Sequence, residues 1–250
     1  TKYKNIEDFI PFYRQKALYL DIETTGFMRK QDMIYLIGLL YFEDGELTLS
    51  QWLCEKAEDE YELLFRLNQF IEEFDTLVHF NGDSFDLPFI KARMDLYRIS
   101  EALSSLDSFD FYKAIKPLKK VLRTDNFKLK TMEKICGYDR VDPFTGGELI
   151  ALYKEYLNGD SQLEYSFIIH NEEDMIGLYY LNSLLPLIAL YRDFTGFYYQ
   201  EALEDRDKSL SFKMPLKHKF NLYELTMSHR GATFSLTGQG LILTLPIDCG

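Results

Sequence analysis

Cysteine is scarce in this sequence: Cys54, Cys136 and Cys249 stand far apart and form no CxxC pair. That spacing argues against a disulfide framework and against a zinc knuckle, and reads as buried or incidental thiols. Long apolar runs are missing as well. No segment approaches the roughly 18 apolar residues of a membrane span, and the opening TKYKNIEDFIPFYRQK has no signal-peptide core. A cytoplasmic location without a membrane partner is therefore expected. Internal repeats and low-complexity tracts are absent, which excludes solenoid and linker-like architectures. Positive charge is in deficit, with a net charge of −12, and this argues against a simple nucleic-acid coat, whose binding face is usually basic. The sequence starts at Thr1 rather than Met and ends on the strand-like GLILTLPIDCG, as an excerpt of a longer protein would.

What is present suffices for one large domain, or for one domain with a small appendage: 250 residues, 46% apolar and 16% aromatic. LYLDIETTGF (18–27) reads as a strand, MIYLIGLLYF (33–42) as a second, and ELTLSQWLCE (46–55) as a third after the turn signal Asp44-Gly45. EDEYELLFRLNQFIEEF (58–74) then spaces Leu63, Leu64, Leu67, Phe70, Ile71 and Phe74 as a helix, and TLVHFNG (76–82) returns to a buried strand. A helix crossing between strands predicts an α/β layer architecture, a sheet with flanking helices. A further helix is expected over 85–98, and beyond residue 100 the pattern is almost wholly helical: 110–122, 128–136, 147–157 and 162–193, with breaks at Gly137-Tyr138, Gly146-Gly147 and Asn158-Gly159. Near Gly196 the character changes. KSLSFKMPLKHKF and GATFSLTGQGLILTLPI read as strands, the second folding back at Thr237–Gly240. Residues 1–195 are thus taken as the main domain and 196–250 as a β-rich C-terminal extension.

Two carboxylates on the first strand need a reason. Asp21 and Glu23 are two apart and share a face, so they form either a solvated edge or a site whose metal ion cancels their repulsion. Asp86 follows the strand 76–82 at or near the first turn of a helix, where a helix-dipole role competes with membership of a strand-end crevice. In IIHNEEDMIGLYYL, His170 and Asp174 are four apart and lie on one helical face, while Glu172 and Glu173 point elsewhere. The apolar surroundings of that pair turn Asp174 inward, and an inward carboxylate needs a cation or a donor. One window, Lys113–Arg140, carries nine Lys or Arg against three acids, either as a solvated face or as a track for a phosphate backbone.

DIETTG, then Asn81 with Phe85-Asp86, then HNEED, in that order, resemble the three motifs of the DEDD superfamily of 3′-to-5′ exonucleases on the ribonuclease H-like fold. LKTMEKICGYDR, DPFTGGELIALYKEYLNGD and HNEEDMIGLYYL resemble its bacterial YprB-type branch, and the resemblance covers about residues 17 to 190. It implies a central mixed sheet with flanking helices. It also implies two divalent ions, Mg2+ or Mn2+, held by Asp21, Glu23 and Asp174, with Asp86 completing the site. In the implied reaction water attacks the terminal phosphodiester of DNA or RNA, at single-stranded 3′ ends, and a nucleoside 5′-monophosphate leaves. His170 resembles the general base. Its four-residue distance from Asp174 follows the tyrosine-type members, while its residue type follows the histidine-type ones. Thr24, Thr25 and Gly26 would let backbone approach the terminal nucleotide, Asn81 would bond it, and Phe85 packs in the core or stacks on a base. His79, His218 and His229 are read as structural. The rival readings are a catalytically inactive nucleic-acid-binding or interaction module and an endonuclease on the same fold.

Overall fold

A computed structural model describes residues 2–3, 16–122, 124–192, 204–206, 209–215, 225–229, 232–237 and 240–246. Strands β1 (Lys2–Tyr3), β2 (Ala17–Thr24), β3 (Ile34–Glu43), β4 (Glu46–Leu53), β5 (Thr76–His79) and β6 (Asp107–Asp110) make one mixed sheet in the order β1-β4-β3-β2-β5-β6. β2, β3 and β4 run as an antiparallel meander, whereas β2, β5 and β6 are parallel. The β3–β4 turn is Asp44-Gly45 with φ of 53° and 81°, the paired left-handed conformation that suits a two-residue hairpin. Parallel neighbours need crossovers. Helix α1 (Glu60–Phe70) connects β4 to β5, and α2 (Asp86–Leu96) connects β5 to β6. The short α3 (Phe111–Ile115) follows β6 directly.

This sheet belongs to the first of two compact units, the described residues of Thr1–Ile6, Pro11–Ala114 and Asp139–Tyr179. The second unit holds those of Ile115–Tyr138 and Tyr180–Gly250. It contains α4 (Lys119–Leu122) and α5 (Leu129–Ile135). The first unit continues with α6 (Gly146–Leu157) and α7 (Glu164–Tyr180), and α8 (Leu185–Arg192) lies in the second. The second unit also carries five antiparallel strands, β7 (Glu204–Arg206), β8 (Ser209–Pro215), β9 (Leu225–His229), β10 (Ala232–Thr237) and β11 (Gly240–Pro246), in the order β7-β8-β11-β10-β9. The β-rich C-terminal part expected from the sequence is this sheet. The division read between residues 195 and 196 falls within 193–203, outside the described residues, as do His218 and the 238–239 connection.

Strand β2 shows how the site is built. Leu18, Leu20 and Ile22 enter a core with Leu64 and Leu67 of α1 and Phe89, Ile90 and Met94 of α2; each such burial stabilises by about 1.5–3 kcal/mol. The opposite face is also covered, for Tyr19 meets Tyr179 of α7 edge-on with ring centroids 5.6 Å apart. Asp21 and Glu23 continue the Tyr19 face. They are therefore not on a solvated edge: β2 lies inside the sheet with helices on both sides. Gly38 of β3 sits opposite Asp21, and a Cβ there would run into the Asn171 side chain and to 2.8 Å from Met175 Cγ. Only glycine lets α7 lie so close to the strands.

A buried acid ties the other face together. The Glu60 carboxylate accepts Arg93 Nε at 2.8 Å and also Arg93 Nη2, the Tyr97 hydroxyl at 2.9 Å and the Ile34 N–H at 2.8 Å, so α1, α2 and β3 share one ionic node. One expectation fails. The sequence beyond residue 100 reads as helical, yet Asp107–Asp110 forms the edge strand β6. DSFD has a single apolar residue and no alternation to read; its pairing with β5 makes it a strand. Among the described residues, no helix is long and apolar enough to cross a membrane.

Candidate active site

The carboxyl ends of the parallel strands gather the acids. Asp21 and Glu23 lie near the end of β2, and Asp86 is the first residue of α2, just past β5. Asp86 Oδ1 accepts the Ile22 N–H at 3.3 Å, which brings this carboxylate against the strand between Asp21 and Glu23. Asp174 comes from α7 on the other side. Each of the four is buried deeply enough to feel its neighbours. Burial, with repulsion from Asp174, Asp86 and Glu23, holds the Asp21 carboxyl well above the usual carboxylate range. Burial pushes Glu23 up to about 8 against the pull of His170, with Asp174, Asp86 and Asp142 adding to the rise. Burial likewise pushes Asp86 up to about 7, although the backbone N–H groups of Asp86 and Ile22 oppose it. Asp174 goes the other way. Burial would raise it, but the His170 ring and the Arg140 guanidinium hold it below the ordinary value.

His170 faces this cluster with one nitrogen and leaves it with the other. Nε2 is 3.3 Å from Asp174 Oδ2 and 3.9 Å from Glu23 Oε1, while Nδ1 is 2.6 Å from Asp142 Oδ2. Burial opposes the cation, yet the hydrogen bond and charge of Asp174, then Glu23 and Asp142, push His170 up to about 9. A strap over α7 supplies the remaining partners. Arg140 pairs with Asp174, and the N–H groups of Val141 and Asp142 donate to the Glu173 carboxylate at 2.9 and 2.7 Å. Asp21 is oriented by a relay across three elements: Gln51 Nε2 donates to Asn171 Oδ1 at 3.0 Å, and Asn171 Nδ2 donates to Asp21 Oδ2 at 3.0 Å.

The structure thus brings Asp21, Glu23, Asp86, His170 and Asp174 to one place. The residues expected to meet a nucleotide lie beside them with their own duties. The Thr24 hydroxyl donates to the Gly26 carbonyl, Thr25 Oγ1 accepts the Met33 N–H, and Gly26 packs against the Asp32 carboxylate, which together shape the β2–β3 loop. Asn81 has φ of 61°, and its N–H donates to Asp110 Oδ1 at 2.8 Å. Phe85 is half-buried, with its ring between Phe89 and Phe27; Phe27 itself is 75% exposed. The basic window is divided. Lys113 is 2.6 Å from Asp83, Arg140 pairs with Asp174, and Ile115–Tyr138 between them belongs to the second unit.

Spacing alone missed Asn171, Glu173, Arg140 and Asp142. Asn171 had a signal in principle, since an asparagine is a poor helix residue and here precedes Met175 by one turn. Asp142-Pro143 marks a loop but carries no periodicity that would aim it at His170.

The donors suit a hard divalent cation. Three carboxyls are displaced upward by burial and mutual repulsion, only Glu23 with a nearby cation in His170, and an ion among them would offset both effects. Ligand atoms of Glu23, His170 and Asp174 lie within 4.8 Å of one another, and with Asp21 and Asp86 beside them an oxygen-rich set results, suited to Mg2+ or Mn2+ more than to zinc. His79, Asp83 and Asp110 also cluster. There, however, His79 Nδ1 accepts the Gly82 N–H at 3.1 Å, Nε2 bonds the Ser108 hydroxyl at 2.8 Å, and Lys113 already neutralises Asp83, so that group reads as structural, as expected for His79.

The chain is similar to several known proteins. The Uncharacterized protein YprB of Bacillus subtilis (strain 168) is 27% identical over 174 residues, which are 67% of this chain and 41% of that protein; the chain therefore spans less than half the length of that relative. A family B DNA polymerase from the hyperthermophilic archaeon Pyrobaculum calidifontis superposes with a TM-score of 0.55 at 16% identity, over 70% of this chain and 25% of the polymerase, a likeness of fold. A nuclease in its apo form aligns with a TM-score of 0.45 at 16% identity, over 76% of this chain and 80% of the other. A family model described as RNase_H superfamily matches residues 18–186. That span runs from the strand bearing Asp21 and Glu23 to beyond the helix bearing His170 and Asp174, and on it the chain belongs to the RNase H superfamily.

Proposed function

We propose that the chain is a metal-dependent 3′-to-5′ exonuclease of the DEDD type, which removes nucleoside 5′-monophosphates from the ends of single-stranded DNA or RNA. The observation that carries this reading is the meeting of Asp21, Glu23, Asp86 and Asp174, from three separate elements, with an imidazole between two of them. Asp21, Glu23, Asp86 and Asp174 would hold two divalent ions of the Mg2+ or Mn2+ class. When bound, such ions supply charge stabilisation to the attacking and departing oxygens of an in-line displacement.

The chain's own residues do the rest. With the ions bound, their charge would oppose the imidazolium that the metal-free cluster favours, and His170 Nε2, on the side of Glu23 and Asp174, would then take the proton from the attacking water; a base so placed contributes about 10²–10⁴-fold. Asn171 keeps Asp21 turned toward the cluster, and Asp86 is kept there by the Ile22 N–H. The β2–β3 loop with Thr24, Thr25 and Gly26, together with Asn81 and Phe85, receives the terminal nucleotide. The presence of all four acids favours an enzyme over an inactive binding module, and the Asn81-to-Asp86 and His170-to-Asp174 spacings favour an exonuclease over an endonuclease.

The test is incubation with 5′-end-labelled and 3′-end-labelled single-stranded DNA and RNA, in Mg2+, Mn2+ or chelator, beside Asp21→Ala and Asp86→Ala. Stepwise shortening from the 3′ end, abolished by chelation and in both variants, supports the proposal. A ladder of internal cuts supports the endonuclease, and metal-independent binding without cleavage supports the inactive module.

A further inference from the structure

Asp142 is a carboxylate that no acidic motif includes, and its side chain is fully buried. Both of its oxygens are committed: Oδ1 accepts the Phe144 N–H at 3.1 Å, and Oδ2 lies 2.6 Å from His170 Nδ1. Its backbone is held too, because Glu173 receives the Val141 and Asp142 N–H groups. Glu173 and His170 sit on the same helix α7, so the strap and the imidazole are fixed by one rigid element and the Asp142–His170 distance is set from both ends. A carboxylate can only accept at Nδ1.

We propose that Asp142 is the positioning residue of His170: by accepting the Nδ1 proton it fixes the ring so that Nε2 is the nitrogen turned toward Glu23 and Asp174. This inference rests on the nuclease reading of the site. It assigns Asp142 no contact with substrate; its effect passes through the ring. The groups around that ring are Glu23 from β2, Asp174 on its own helix, and Asp142 and, through Asp174, Arg140 from the strap.

The discriminating change is Asp142→Asn, which keeps shape and volume. The Phe144 N–H requires an acceptor, so the new amide places its oxygen there and turns its NH2 toward Nδ1. Nδ1 must then accept, and the ring proton moves to Nε2. In Mg2+-loaded protein labelled with 15N-histidine, the wild type is expected to give a His170 proton signal on Nδ1, shifted far downfield by the short bond. Asp142→Asn is expected to carry the proton on Nε2. In parallel, kcat should fall about 10²–10³-fold with KM within about twofold, and Asp142→Asn should lower kcat no further in a His170→Ala background.

An unchanged Nδ1 proton in Asp142→Asn overturns the proposal, and so does a kcat loss that adds fully to that of His170→Ala. Should Asp142→Asn fail to fold, the wild-type spectrum compared with that of His170→Ala still decides: no downfield Nδ1 proton assignable to His170 overturns the proposal. A wild type that cleaves neither DNA nor RNA sinks the nuclease reading alone, since the tautomer measurement decides the part of Asp142 without turnover.

Discussion

Metal-free protein should lose stability as pH rises from 6.5 to 8, and the structure gives both the sign and the size. Glu23 is pushed up to about 8 from an ordinary value of 4.5, so across this window the folded state keeps a proton that the unfolded chain has released. His170, pushed up to about 9 from 6.5, behaves alike: the stability it contributes is fully present below pH 6.5 and is lost as pH rises toward 9. Asp174 has the opposite sign, but its change lies below the ordinary carboxylate value and outside the window. His79, lowered by burial, has the opposite sign, and its contribution fades once the unfolded imidazole has lost its proton just above 6.5. Stability falls by about 1.4 kcal/mol per pH unit for each proton retained by the folded state. Asp21 and Asp86 are raised as well and share this sign; counting a single proton for the whole coupled cluster gives a loss of about 2 kcal/mol over 1.5 units, or about 4–8 °C in Tm for a domain of this size. Divalent metal must displace that proton, so its stabilising effect should be larger at pH 8 than at 6.5. Differential scanning calorimetry in chelator and in Mg2+ or Mn2+ at both pH values measures all four quantities. A metal-free Tm that holds or rises toward pH 8, or metal that adds nothing there, refutes the charge-cluster argument.

Three further outcomes are expected. Arg93→Ala leaves the buried Glu60 carboxylate without its ionic partner and should cost about 3–5 kcal/mol in urea unfolding; a loss below 1 kcal/mol would show that the node is not buried as described. Gly38→Ala places a methyl against Asn171 and Met175, which should destabilise by about 1–3 kcal/mol and lower nuclease activity together with stability; an unaltered Tm contradicts the close approach of α7. Asn171→Ala removes the donor to Asp21, and affinity for Mn2+ by titration calorimetry should weaken about 10–100-fold, with wild-type affinity counting against the relay.

The sequence alone determined the layers and the identity of the acids. Asp21 and Glu23 were legible because a strand has period two and a charge in an apolar run is conspicuous, and the α1 crossing was legible from the helical spacing of Leu63, Leu64, Leu67, Phe70, Ile71 and Phe74. The acidic motifs kept their order along the chain, so resemblance could join what spacing could not. Tertiary structure alone decided the surroundings. β6 is a strand because β5 lies beside it, not because DSFD asks to be one. Glu173 looked like an exterior acid on its helix, yet the strap at 141–142 covers it and uses both its oxygens. Asp142, 28 residues before His170 in sequence, reaches the imidazole only because that strap is clamped to the helix. Such contacts leave no period in the chain: they depend on where a loop returns in space, which the core of β2, β3 and α7 fixes and local sequence does not.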